Sequence, residues 1–266
     1  MFGTAKQWAI AAYKAAMSGI VGGNLASLSF LRHPRSMVAY WQHCMFTWQL
    51  ASGNGLPQVQ LHDLLPVEEI TDVTILPTSG NFIPWDSSFA KDAMYLSLIC
   101  RAIHAKQVFE IGTLYGYTAF LLALNTSESA RIFTLDIPAD AGLALNATIS
   151  DVATRIANYK ANQLIFQGSP VEGKITVLKG DSANFDFSRW YGQIDVFFID
   201  GSHSYEYVKS DTEHALKCCH SGSVILWHDY GRWGVNGVSK YLHKLSQQFP
   251  TLSRLPGSSM AVLRVP

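Results

Sequence analysis

The chain has 266 residues, with 20 Lys+Arg against 20 Asp+Glu and a formal net charge of zero. Only 15% of its residues are charged and 48% are hydrophobic, whereas a typical soluble domain is about 25% charged. That balance excludes a disordered chain, and without a basic block nothing favours general nucleic-acid binding. The length suits one large domain, or one domain with an extension.

Residues 7–31 are largely apolar and small, but Lys14 interrupts them. The run is too broken for a membrane span of about 18 apolar residues, and it lacks the clean apolar core of a signal peptide. An amphipathic or buried helical segment is expected there, with peripheral membrane contact as the second reading. Tyr40, Trp41, Phe46 and Trp48 follow, then loop-rich pieces (SGNGLPQ, LLPVEE, LPTSGNFIP). Residues 1–80 therefore read as helices and irregular connection, without repeats. Cys44, Cys100, Cys218 and Cys219 form no C-x-x-C pair, so a reducing, cytoplasmic setting is the default.

From Asp86 the pattern changes. Asp86 and Ser87 can cap a helix carrying Phe89, Met94, Leu98, Ile99 and Ile103 at helical spacing. VFEIG predicts a strand and AFLLALN a helix; RIFTLDI predicts the next strand. A helix is expected over about Ala139 to Lys160, then strands at ITVLKGD and IDVFFID. A helix from about Tyr205 to Cys219 leads to the strand SVILWHD, and a helix from about Val235 to Gln248 leads to MAVLRV. Nearly continuous apolar strands between helices imply a doubly wound, mostly parallel α/β sheet covered on both faces. Ligands bind beyond the carboxyl ends of such strands, so chemistry is sought there.

The first strand end reads Glu110, then Gly112 and Gly116. Glycine permits positive φ and close backbone approach. The spacing E-x-G-x-x-x-G differs from the G-x-G-x-x-G of dinucleotide folds. A carboxylate at this turn suits a ligand with an ammonium group rather than a pyrophosphate. That spacing disfavours a nicotinamide dehydrogenase. Asp136 ends the second strand, where an acid accepts hydrogen bonds from ribose hydroxyls. Asp181 and Ser182 end the third and suit an adenine edge. Asp200 ends the fourth, followed by Gly201 and His203, and His228 and Asp229 end the fifth. Neighbouring strands lie about 5 Å apart, so Asp200, His228 and Asp229 can converge if these strands are adjacent. Carboxylate oxygens suit Mg2+ or Ca2+, and an imidazole shifts the preference towards Mn2+, Fe2+ or Zn2+. His203 lies beside that point and can accept a proton near neutral pH.

VFEIGTLYGYTAFLLALN, the acid of TLDI, GDS, FIDGSHSYEYVKSD and ILWHDY occur in the order found in class I S-adenosylmethionine-dependent methyltransferases. The chain most resembles the small-molecule O-methyltransferases, including the catechol type. The likeness runs from about residue 86 to the end. It implies an extension over 1–80, acting as a lid or oligomerisation arm, and a methyltransferase domain over 81–266 with a seven-stranded Rossmann-like sheet. It further implies that Glu110, Gly112, Gly116, Tyr117 and Thr118 line the methionine end of the cofactor. Asp136 would hold the ribose, and Asp181 and Ser182 would lie by the adenine. Asp200 aligns with the family's metal-binding acid. His228 and Asp229 fall where catechol-type enzymes carry Asp-Asn, and His203 falls where they carry a lysine base. The implied cofactors are S-adenosylmethionine and a divalent metal, Mg2+ or Mn2+, with Asp200, His228 and Asp229 as ligands. The implied substrate is a small hydroxylated molecule, with His203 and Asp200 catalytic. Metal-free transfer and a non-catalytic scaffold of the same fold are the alternatives. A charge-poor surface points to self-association as a homo-oligomer before membrane contact.

Overall fold

The computed structural model describes residues 55–76, 87–138, 140–148, 151, 164–232 and 235–266, all within one unit, Ser52–Pro266. The expectations placed on 7–31, on Tyr40, Trp41, Cys44, Phe46 and Trp48, on Asp86 as a cap and on 152–160 lie outside the described residues.

Residues 55–76 are irregular apart from one helical turn, α1 (Leu61–Leu64). Helix α2 (Ser87–Ala102) leads into β1 (Gln107–Ile111) and α3 (Tyr117–Leu124). Strands β2 (Arg131–Asp136), β3 (Ile175–Lys179) and β4 (Ile194–Ile199) follow. Helix α4 (Tyr205–Cys218) passes directly into β5 (Cys219–Trp227), and α5 (Asn236–Leu245) precedes β6 (Ser253–Arg254) and β7 (Ala261–Arg264).

The seven strands form one sheet in the order β3-β2-β1-β4-β5-β7-β6. The first five are mutually parallel; β7 runs against β5, and β6 against β7. The expected mixed, mostly parallel, seven-stranded α/β fold is what forms. Side chains alternate between two apolar layers. Phe109, Phe197, Ile199, Ile225 and Trp227 pack with Val208 and Leu242 on one face. Val108, Val196, Phe198, Val224 and Leu226 pack with Leu96, Ile99 and Leu122 on the other. Both faces are therefore dry, and each such buried side chain stabilises by about 1.5–3 kcal/mol.

Segment 55–76 packs on this domain. Leu56, Leu61 and Leu65 are buried. Arg254 N–H donates to Pro57 O at 2.9 Å, and Asn125 exchanges side-chain hydrogen bonds with the Thr74 backbone at 2.8 and 2.9 Å.

The helix expected from about Ala139 does not form over residues 140–148, which are turn and irregular chain. The reason is where their N–H groups go. Ala144 N–H donates to Asp181 Oδ2 at 2.7 Å and Thr148 N–H to Asp151 Oδ2 at 2.9 Å. Neither is left for an i→i−4 ladder. Strand β6 was not expected, and β5 begins four residues before the SVILWHD run.

Among the described residues no helix is long and apolar enough to cross a membrane. Cys100, Cys218 and Cys219 are buried free thiols.

Candidate active site

Register sets the site. Beyond the paired residues, Gly112 N–H donates to Leu135 O at 2.8 Å, Asp200 N–H to Ile111 O at 2.9 Å and His228 N–H to Ile199 O at 3.0 Å. The chain ends of β1, β4 and β5 therefore stand side by side. Gly112 has φ of 102°, and a Cβ there would lie 2.1 Å from the Asp200 carbonyl oxygen. Only glycine lets this turn touch the end of β4.

Glu110 is buried, opposite Thr134 in the β1–β2 register, and accepts from Thr134 Oγ1 at 2.5 Å. Thr113 and Thr134 hydroxyls lie 2.7 Å apart, extending the chain of polar contacts. Burial pushes the Glu110 carboxyl well above the ordinary carboxylate range; the Thr134 hydrogen bond opposes this, and Asp200 and Asp136 add to it. Gly116 is the N-cap of α3, and Tyr117 and Thr118 form its first turn. Tyr117 O–H donates to Leu76 O at 3.1 Å. Asp136 accepts from Leu114 N–H at 3.2 Å and Ile137 N–H at 2.9 Å. Asp181 accepts from Ala144 N–H, from Ala183 N–H at 3.0 Å and from Tyr207 O–H at 2.8 Å. Burial, reinforced by the Asp181 contact, pushes the Tyr207 phenol up to about 12. Ser182 is buried beside Asp181.

The fourth and fifth strand ends carry a dense charged cluster. Asp200, Gly201, Ser202, His203, Trp227 and His228 line a small concavity. His203 Nε2 lies 2.6 Å from Asp229 Oδ2, and its Nδ1 lies 2.5 Å from Asp151 Oδ1. Burial disfavours the imidazolium, but hydrogen bonds and charge from Asp151 and Asp229 outweigh it and raise the ring to about 10. His228 Nδ1 lies 3.1 Å from Asp200 Oδ1 and 3.4 Å from Asp229 Oδ1. These are ion-pair distances without the alignment of a hydrogen bond. Although desolvation opposes the charged ring, the Asp200 and Asp229 charges hold the partly buried His228 well above its usual range. Asp229 sits at φ of 58° and also accepts from Arg232 at 2.9 Å. Burial would raise its carboxyl, yet His228, His203 and Arg232 hold it well below the usual range.

Ligand atoms of Asp200, His203 and Asp229 all lie within 4.8 Å of one another. Two carboxylate oxygens and an imidazole are a donor set that suits a divalent ion such as Mn2+ or Mg2+. His228 stands beside this trio, with its Nε2 facing Asp92 at 3.1 Å.

Three participants were not singled out in the sequence. Asp92 is buried on α2. Asp151 follows Thr148 as T-x-x-D, a helix-start signature that says nothing of His203. Tyr207, on α4, reaches back to Asp181.

The strand order, the reversed final strand pair and the glycine turn after β1 define the class I S-adenosylmethionine-dependent methyltransferase fold. Residues 109–230 match the family model described as a methyltransferase domain. Over that region the chain resembles small-molecule O-methyltransferases. It is 32% identical over 131 residues to tapetum-specific methyltransferase 1 of Arabidopsis thaliana, covering 48% of this chain and 51% of that protein. It is 23% identical over 124 residues to caffeoyl-CoA O-methyltransferase 2 of Populus trichocarpa, covering 44% and 43%. The chain thus spans about half the length of the curated relatives it matches. The structure of the O-methyltransferase NovP superposes with a TM-score of 0.50 at 10% identity, over 67% of this chain and 79% of that one, a likeness of fold.

Proposed function

We propose that this chain transfers the methyl group of S-adenosylmethionine to a hydroxyl oxygen of a small molecule. One observation carries the reading: the Gly112 turn is in van der Waals contact with the backbone of Asp200, the first residue of the charged cluster. A methyl donor on that turn and an acceptor at Asp200, His203 and Asp229 would share a wall.

In this reading Glu110, Gly112, Gly116, Tyr117 and Thr118 hold the methionine end, Asp136 the ribose, and Asp181 with Ser182 the adenine. The sulfonium is already activated, so the protein must align the acceptor oxygen and exclude water, which supplies several kcal/mol of the barrier. Asp200 and Asp229 would hold a divalent ion, with His203 and His228 beside them; such an ion lowers the pKa of a bound hydroxyl. His203 donates from both nitrogens as it stands. Nε2 would take the hydroxyl proton only as the neutral ring, after its own proton has passed to solvent and Asp229 has turned its charge to another cation. Metal-free transfer is the second reading, favoured by the pairing of Asp229 with His203 and Arg232.

Residues 1–80 are read as a lid or oligomerisation arm. The neutral, charge-poor composition supports self-association, and the free thiols support a reducing, cytoplasmic setting.

The test is calorimetric titration with S-adenosylhomocysteine, then methyl transfer to 3,4-dihydroxybenzoate with Mg2+ or Mn2+ and with EDTA. Saturable binding and transfer support the reading. Loss of transfer in EDTA supports the metal role, and full activity there removes it. No cofactor binding would leave the non-catalytic scaffold.

A further inference from the structure

Thr148 and Asp151 cap one another: Thr148 N–H donates to Asp151 Oδ2 at 2.9 Å, and Asp151 N–H donates to Thr148 Oγ1 at 3.2 Å. Such a reciprocal cap needs one carboxylate oxygen. Oδ2 fills that need and also accepts from Ser202 Oγ at 2.7 Å and from His203 N–H at 3.1 Å. Oδ1 is left over, and it meets His203 Nδ1 at 2.5 Å. The cap does not explain this second contact.

We propose that Asp151 is the positioning residue for His203, fixing its ring so that Nε2 is the nitrogen presented to the reaction. The proposal rests on the methyltransferase reading above. A carboxylate oxygen can only accept, so Oδ1 keeps the hydrogen on Nδ1. Nε2 then points along the opposite side of the ring, 2.6 Å from Asp229 Oδ2 and inside the Asp200–His203–Asp229 group. Once its own hydrogen has passed to solvent, Nε2 is the nitrogen free to take a proton or meet a cation. Carboxylates behind a histidine commonly set its tautomer and orientation in this way. Asp151 does not belong to the group that meets around Asp200; it acts through His203.

The geometry supplies its own test. Three donors (Thr148 N–H, Ser202 Oγ and His203 N–H) face the Oδ2 position. In Asp151→Asn the amide oxygen must take that place, which preserves the cap and turns the NH2 group onto His203 Nδ1. Nδ1 must then accept, so it gives up its hydrogen and the ring carries one on Nε2 alone. The shape is kept, and the neutral ring is fixed with its hydrogen on Nε2 instead of Nδ1. Thr148→Ala does the opposite, removing the hydroxyl of the cap and leaving the His203 contact.

Methyl transfer from S-adenosylmethionine to 3,4-dihydroxybenzoate is measured for wild type and both variants, with 15N spectra of histidine-labelled protein. The His203 resonances are assigned by their loss in His203→Gln. In Asp151→Asn, kcat should fall by at least about 100-fold, with KM for S-adenosylmethionine within about threefold. Its His203 Nδ1 should change from a protonated to an unprotonated nitrogen. Thr148→Ala should keep kcat within about threefold and leave the His203 spectrum unchanged. Equal losses in both variants, an unchanged kcat in Asp151→Asn or an unchanged His203 spectrum would each overturn the proposal. If wild type neither binds S-adenosylhomocysteine nor transfers a methyl group, the methyltransferase reading fails, and the spectra still decide whether Asp151 sets the ring.

Discussion

His228 Nε2 lies 3.1 Å from Asp92 Oδ2, joining the end of β5 to helix α2 across 136 positions of chain. Asp92 also accepts a short hydrogen bond from Ser258 Oγ and one of 3.1 Å from Ser259 Oγ. One buried carboxylate therefore ties the β6–β7 turn, α2 and the charged cluster together.

Removing that carboxylate leaves two hydroxyls and an imidazolium without their acceptor. Asp92→Ala should lower the unfolding free energy by about 3–5 kcal/mol, as for other broken buried pairs. Asp92→Asn, which keeps one acceptor oxygen, should lose less. Urea unfolding checks both, and a loss under about 1 kcal/mol for Asp92→Ala would mean that this junction contributes no more than a surface pair.

The Asp151–His203–Asp229 arrangement predicts a pH window for stability. Folding raises His203 from 6.5 to about 10, burial opposing and the two carboxylates prevailing. A raised pKa means that its contribution is full below about 6.5 and is lost as pH rises through about 10. Asp151 shifts the other way, from 3.8 to about 2, since contacts from His203 and Ser202 outweigh its burial. Its contribution is present above about 3.8 and lost as pH falls through about 2. The gap in melting temperature between wild type and His203→Gln should therefore be widest near pH 5 and shrink steadily towards pH 10. A gap of constant size across that range would show that the ring contributes by packing rather than by charge.

Asp211 presents the opposite sign. It is fully buried on α4, and among the described residues neither carboxyl oxygen has a hydrogen-bond partner. Burial pushes it from 3.8 up to about 7; the nearby Ser182 hydroxyl, not aligned as a full hydrogen bond, only partly relieves this. The unfolded chain releases this proton near 3.8, so a penalty on folding grows from about pH 4 and levels off above about 7. That displacement corresponds to about 4 kcal/mol between charged and neutral forms. Asp211→Asn should accordingly stabilise the protein at pH 8 by up to that amount, and change little at pH 4. Denaturant midpoints at the two pH values decide it; equal effects at both would show that Asp211 folds as the carboxylate.

These features differ in how far the sequence betrays them. Strands β1, β2, β4 and β5 are legible because both of their faces are buried, so their residues form apolar runs that stop at an acid or histidine. Glu110, Asp136, Asp200 and Asp229 stand out for that reason. Asp92 and Asp151 do not, because each lies away from a strand end and meets its histidine only through the fold, 136 and 52 positions away. Residues 140–148 look helical by composition, but Ala144 N–H is captured by Asp181 from a distant segment, and Thr148 N–H by Asp151 as a cap that marks a later helix start. Strand β6 is two residues long, too short to show a period.

Gly237 is equally silent in the sequence, yet it supports the site from below. It is the second residue of α5, and a Cβ there would lie 2.2 Å from His203 O and 2.6 Å from Tyr205 N. Those atoms are backbone and cannot rotate away, so Gly237→Ala must displace the segment that carries His203. Overpacking of this kind destabilises by about 1–3 kcal/mol, which lowers the melting temperature by several degrees. Glu110 and Asp136 lie on β1 and β2 and Gly112 just after β1, none of them among the atoms that a Gly237 Cβ meets, so affinity for S-adenosylhomocysteine should hold within about threefold while methyl transfer falls by about tenfold or more, the effect of misplacing a reacting group. Gly142→Ala is the control, since a Cβ there meets nothing within 4 Å; it should be neutral or stabilise by about 0.4–1 kcal/mol by restricting the unfolded chain. If Gly237→Ala behaves like Gly142→Ala in both melting temperature and turnover, the close packing of α5 against His203 does not hold the site in place.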